Sequence, residues 1–132
     1  MKKVLFLCTG NSCRSQMAEG FLNQHQGFQA FSAGTKPAKQ VHPFAVEVMQ
    51  DLGIDIRGNK PKLVDKYLAQ PFDAVVTVCD SAKETCPLFL GKVANRFHQS
   101  FEDPDGYGIE KFYEVRDKIA AFISDFVIKM QN

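Results

Sequence analysis

Apolar positions change rhythm several times along the chain, and each change marks an element. Val4 to Leu7 is an unbroken apolar run, the pattern of a strand covered on both faces in a parallel sheet. From Ser15 to His25 the period becomes helical, with Met17, Ala18, Phe21 and Leu22 on one side. Phe28 to Phe31 reads as a short second strand, ended by the turn signal Ser32-Ala33-Gly34. Pro43 opens a second helix with Val46, Val48 and Met49 on its apolar side and Gly53 as its C-cap. Residues 55–61 are irregular, and a short helix is predicted from Val64 to Ala69. Ala74 to Val78 is the clearest strand after the first, and it delivers Cys79 at its carboxyl end. A turn of helix is expected over Asp80 to Glu84, Val93 to Phe97 is a weaker fourth strand, and the loop from Gln99 to Gly108 is dense in turn formers. The chain closes on an amphipathic helix in which Phe112, Val115, Ile119, Phe122, Ile123, Phe126, Val127 and Met130 form a packing stripe.

The order β-α-β-α-(α)-β-β-α predicts an α/β fold. One domain over residues 1–132 should carry a mostly parallel, twisted four-stranded sheet with helices on both faces. Ligands of such sheets gather beyond the carboxyl ends of the strands, where Cys8 and Cys79 both fall.

Composition narrows the class. With 45% hydrophobic and 23% charged residues, the 132-residue chain has the make-up of a soluble domain able to bury a core. A net charge of +1 gives no reason to expect nucleic acid or a membrane surface as partner, so any anion site must be local. The start, Met1 to Cys8, superficially resembles a lipoprotein leader, but its apolar core before Cys8 is too short for one. No other stretch approaches the ~18 to 20 apolar residues needed to span a bilayer. The expected compartment is the reducing cytoplasm, where four cysteines suggest metal or redox chemistry more than structural disulfides.

The candidate chemistry centres on Cys8-Thr9-Gly10-Asn11-Ser12-Cys13-Arg14-Ser15, at a strand-to-helix seam. Backbone N–H groups at a helix N-terminus point outward without partners and carry the positive end of the helix dipole. A cysteine held there beside a guanidinium is expected to be a thiolate at neutral pH. Arg14 offers a planar fork matched to two oxygens of a tetrahedral oxyanion. Gly10 is expected to turn the loop with positive φ and let the backbone approach a ligand.

The other candidates admit two readings each. Cys8, Cys13, Cys79 and Cys86 could be zinc ligands, but the spacings C-x4-C and C-x6-C are not those of zinc ribbons, and Arg14 would sit beside the cation. Cys13 reads best as a small buried residue. Cys79 and Cys86 bracket a polar segment. They are either unrelated structural thiols or a dithiol that closes only when bonded Cα atoms come within about 7 Å. Asp103-Pro104 is either a turn initiator or the source of a carboxyl that protonates a departing oxygen. His25, His42 and His98 are scattered and read as surface or satisfied polar residues, and Lys60 and Lys62 as a solvated loop.

The run Val-Leu-Phe-Leu-Cys-Thr-Gly-Asn-Ser-Cys-Arg-Ser-Gln-Met-Ala-Glu-Gly, Val4 to Gly20, closely resembles the start of the thioredoxin-coupled arsenate reductases, which share the fold of low-molecular-weight protein tyrosine phosphatases. The likeness continues through Phe31-Ser32-Ala33-Gly34, Gly53-Ile54-Asp55-Ile56, Val75 to Cys79 with Cys86-Pro87, Phe101-Glu102-Asp103-Pro104 and Val115-Arg116-Asp117. The resemblance implies a three-thiol relay. Cys8 attacks arsenate held by the amides of residues 9–14 and by Arg14, while Asp103 protonates the leaving oxygen. Ser15 helps hold the thiolate and Asn11 braces the loop. Cys79 then attacks Cys8 with release of arsenite, and Cys86 attacks Cys79. The final disulfide is reduced by thioredoxin, so no cofactor need be bound, and phosphate or sulfate should bind as analogues. A monomer is expected.

Two departures stand out. Members of this family hold a structural potassium ion with an Asn, a Glu, a Ser, a Thr and an Asp. Asn11, Glu19 and Ser32 match the first three, but Lys60 and Lys62 stand at the other two positions. No bound metal is therefore expected; a Lys60 or Lys62 ammonium would replace the ion, pairing with Glu19 or the loop. The chain also runs straight from Asp103-Pro104 into Asp105-Gly106-Tyr107, without the adjacent tyrosines of many such phosphatases. The alternatives to a reductase are a tyrosine phosphatase using only Cys8, Arg14, Ser15 and Asp103, or an anion-binding or redox-sensing module without turnover.

Overall fold

The structure, a computed structural model, describes residues 1–80 and 88–131. Cys86 and most of the helical turn expected at Asp80 to Glu84 lie outside the described residues.

Strand β1 (Lys2–Cys8) is the axis of the sheet. Its Val4, Phe6, Leu5 and Leu7 are all fully buried, which requires cover on both faces. The strand order is β2-β1-β3-β4, with β2 at Phe28–Gly34, β3 at Phe72–Thr77 and β4 at Val93–His98, and every pairing is parallel. Alternation along β1 divides the core. Val4, Phe6 and Cys8 face helices α1 (Arg14–Leu22), α2 (Pro43–Gln50) and α3 (Ile109–Gln131), while Leu5 and Leu7 face Tyr67, Phe72 and Phe89. Both faces are covered, but among the described residues the three α-helices all pack on one. The other is closed by a 3-10 turn, Val64–Tyr67, in place of the helix predicted there, together with the chain around Phe89.

Two element ends differ from the sequence reading for clear physical reasons. The second strand does not end at Phe31: Ser32, Ala33 and Gly34 continue it, pairing with Phe6, Leu7 and Cys8 of β1. Helix α1 stops at Leu22, because the Asn23 side chain turns to β2, accepting the Ala30 N–H at 2.8 Å. Helix α2 ends as expected in a motif built on Gly53, whose φ of +76° lets Ile54 N–H reach the Met49 carbonyl at 3.1 Å and Gly53 N–H reach the Gln50 carbonyl at 2.8 Å. The last helix buries Phe112, Val115, Ile119, Ile123, Phe126, Val127 and Met130, the stripe legible in the sequence, while Phe122 is partly buried against Phe101. No described helix is long and apolar enough to cross a membrane.

Register matters for function. Cys8 pairs with Gly34 and Leu7 with Thr77, so the carboxyl ends of β1, β2 and β3 finish on one rim.

Candidate active site

At that rim the chain leaves β1 into the loop 9–13 and enters α1 at Arg14. Cys13 is the N-cap of α1 and makes no side-chain cap bond. A helix start without a side-chain cap leaves first-turn amides available to an anion. The loop carbonyls are turned outward and held there. Thr9 O accepts Lys36 N–H at 3.0 Å, Gly10 O accepts Ala38 N–H at 2.9 Å, and Ser12 O accepts His42 N–H at 2.9 Å. Because a peptide unit is planar, fixing a carbonyl outward aims the following N–H the other way, into the loop.

The positive φ lies at Asn11, +52°, and not at Gly10 as expected. Asparagine tolerates the left-handed region, and here its side chain adds hydrogen bonds a glycine could not make. Asn11 Nδ2 donates to Ser15 Oγ at 2.8 Å, and Asn11 Oδ1 accepts Lys62 N–H at 2.9 Å and Gln16 Nε2 at 3.2 Å. A Ser15 oxygen that already accepts from Asn11 has its own proton free for Cys8 Sγ, 2.9 Å away. The same sulfur accepts Asn11 N–H at 3.2 Å. Cys8 is 2% exposed and Ser15 is fully buried, so this arrangement is shielded from water.

Above the sulfur is a cavity of about 310 Å3 lined by Cys8, Thr9, Gly10, Asn11, Ser12, Cys13, Arg14, Ala38, Asp103 and Asp105. Arg14 is buried. Its Nη1 donates to Phe101 O at 3.1 Å and its Nη2 lies 3.6 Å from Asp103 Oδ2, so the guanidinium and the acidic loop share one mouth. Burial pushes the Cys13 thiol up to about 12, against its Ser12 hydrogen bond and helped by Asp103, Asp105 and Cys8. Cys13 is thus a neutral wall residue, whereas Cys8 and Cys13 are both free thiols.

Cys79 does not line the cavity. It is fully buried just past β3, where Val78 N–H donates to Leu7 O at 2.9 Å and carries the chain alongside Cys8. Cys79 is disulfide-bonded.

Behind the loop sit the residues expected around a potassium ion. Glu19 accepts Ser32 Oγ–H at 2.9 Å and Asn59 Nδ2 at 3.0 Å. Gln16 Nε2 points at three oxygens, Asn11 O, Asn11 Oδ1 and Lys60 O, each at 3.2 Å. Lys62 Nζ donates to Lys60 O at 3.0 Å. Burial lowers the Lys62 ammonium and Glu19 opposes the shift; burial raises the Glu19 carboxyl and Lys62 opposes that. The oxygens that would ligate a cation are already taken by protein donors, with an ammonium close by. This set does not fit a bound potassium ion. Gln16, Asn59 and the backbone donors of residues 36–42 escaped the sequence reading, since a backbone N–H carries no side-chain signature and Gln16 sits inside a helical stretch.

The model of the low-molecular-weight phosphotyrosine protein phosphatases matches residues 3–132. The chain belongs to this family. Among curated relatives it is 42% identical over 127 residues to an arsenate reductase of Staphylococcus haemolyticus, covering 95% of each chain. Among solved structures it resembles an arsenate reductase in its phosphate-binding state, with a TM-score of 0.85, 34% identity and 98% of each chain covered. It also resembles a thioredoxin-dependent arsenate reductase of Corynebacterium glutamicum, with a TM-score of 0.74 and 27% identity, covering 99% of this chain and 62% of that one.

Proposed function

We propose that this family member is an arsenate reductase, working as a cytoplasmic monomer with no bound cofactor and with thioredoxin as electron donor. The observation that carries the reading is the Cys8 sulfur, hydrogen-bonded by Ser15 and Asn11 beneath a cavity lined by Arg14, with Cys79 just past the end of the adjoining strand β3.

Cys8 thiolate attacks arsenic and forms an S–As bond, while Asp103 gives its proton to the departing oxygen, which leaves as water. Loop amides and Arg14 hold the remaining oxygens. Cys79 thiolate then attacks the Cys8 sulfur; the S–As bonding pair passes to arsenic, which leaves as arsenite, and a Cys8–Cys79 disulfide remains. Cys86 thiolate attacks Cys79 and releases Cys8. The two electrons come from the protein's thiols and are restored by the thioredoxin dithiol. The curated and structural relatives named above support the substrate, and the Corynebacterium protein supports the donor.

Phosphate has the charge and shape of arsenate, so the same loop should hydrolyse p-nitrophenyl phosphate weakly. The test is arsenate-dependent NADPH oxidation with thioredoxin and thioredoxin reductase, and in parallel with glutaredoxin. Wild type turns over with thioredoxin, and Cys79→Ser and Cys86→Ser do not. Both variants keep the phosphatase activity, which Cys8→Ser loses. Full turnover in either variant removes the relay, and phosphatase activity without arsenate turnover in wild type leaves the phosphatase reading.

A further inference from the structure

His42 is engaged through its backbone N–H and both ring nitrogens. Its backbone N–H holds the Ser12 carbonyl, as described above. Its Nδ1 accepts Phe44 N–H at 3.0 Å, which caps α2. A ring nitrogen that accepts carries no proton, so the ring N–H is on Nε2, and Nε2 lies 3.4 Å from Asp105 Oδ1. The imidazole is fixed between Phe44 and Phe112, at centroid distances of 5.2 and 4.5 Å, and Phe112 is fully buried.

The contact continues inward. Asp105 N–H donates to Asp103 Oδ1 at 3.1 Å, while Asp103 Oδ2 faces Arg14. Asp103 is 47% exposed and stands on a loop, so its carboxylate has other rotamers open to it. A proton donor must sit within hydrogen-bond reach of the leaving oxygen. One residue earlier the loop is anchored by Lys111, whose Nζ lies 2.8 Å from Glu102 Oε1, but that contact does not select the Asp103 rotamer.

We propose that His42 is a positioning residue for the proton donor: its imidazole holds Asp105, and through the Asp105 backbone it keeps the Asp103 carboxylate at the mouth of the oxyanion cavity. The proposal rests on the reading of Asp103 as the acid.

Asparagine separates the two duties of this side chain. It is a favoured N-cap, so His42→Asn leaves Phe44 N–H an acceptor, yet it is too short to reach Asp105. The readout is single-turnover arsenite release from the fully reduced enzyme, which needs no external reductant. His42→Asn is expected to lower the saturating rate about tenfold, less than the roughly hundredfold cost of a reacting group displaced by a full ångström, because Asp103 keeps its Arg14 contact. The half-saturating arsenate concentration and the melting temperature should stay near those of wild type. His42→Ser, a second capping variant, should behave alike. In an Asp105→Ala background, His42→Asn should cost nothing further. Asp103→Ala should lose about a hundredfold.

A wild-type rate in either His42 variant, with Asp103→Ala slow, overturns the tether and leaves the acid. A His42→Asn loss that persists in Asp105→Ala, or that tracks a fall in melting temperature, overturns it in favour of capping. A fast Asp103→Ala removes the acid and the tether together.

Discussion

A methyl group on Gly34 would stand 2.4 Å from the Thr9 carbonyl oxygen, 3.0 Å from its carbon and 3.1 Å from Asn11 N. Those atoms are backbone of the anion loop, so the strain cannot be relieved by swinging a side chain. Gly34→Ala is expected to cost about 3 kcal/mol of stability, the upper end for overpacking, and to open the loop. Urea denaturation and phosphate titration by calorimetry should show both losses together; tight phosphate binding in the variant would be contrary to the geometry. Cys13 permits a sharper test. Its folded value near 12 lies above the ordinary 9.0, so the native state holds this proton more tightly than the unfolded chain does. The corresponding stability is fully present below about pH 9 and fades as pH rises towards 12. Cys13→Ala should therefore show a shallower alkaline loss of stability than wild type. At neutral pH, iodoacetamide should label Cys8 and spare Cys13, as read by mass spectrometry of the tryptic peptides.

Elements were legible wherever their own side chains carried the signal. The unbroken run of β1 and the stripe of α3 are burial written in residue type, and both stand in the structure with those residues inside. The end of β2 was not legible, because Ser-Ala-Gly has the composition of a turn. What makes it strand is the register with β1 and the burial of Ser32 against Glu19, both set by distant chain. The site divides in the same way. Cys8 to Ser15 is contiguous and could be read as an oxyanion cradle, but the segment that aims its amides, residues 36–42, works through backbone N–H groups. Asn11 was read as a member of the loop, and its positive φ could not be assigned from type when Gly10 stood beside it. His42 read as an ordinary polar residue because its partners, Asp105 and Phe112, come from the other end of the chain.

Across the whole molecule, the anion loop and the segment 59–62 behave as one unit through Asn11. Its Nδ2 points through Ser15 to the sulfur, and its Oδ1 is held by Lys62 N–H and Gln16. A cation at this place could only tighten what protein donors already hold, and it would meet the Lys62 ammonium. Melting temperature and arsenate turnover should accordingly be equal in potassium and sodium buffers of matched ionic strength. The stabilising charge should instead be internal. Lys62→Met leaves the Glu19 carboxylate, shielded from water, with only neutral donors from Ser32 and Asn59. Lys62 Nζ is bonded to the Lys60 carbonyl and acts on Glu19 only through space, half-buried and screened by solvent, so a loss of about 1 kcal/mol or less is expected. That loss should appear in both buffers. Strong potassium-specific stabilisation of wild type would mean that an ion, and not Lys62, closes the rear of the loop.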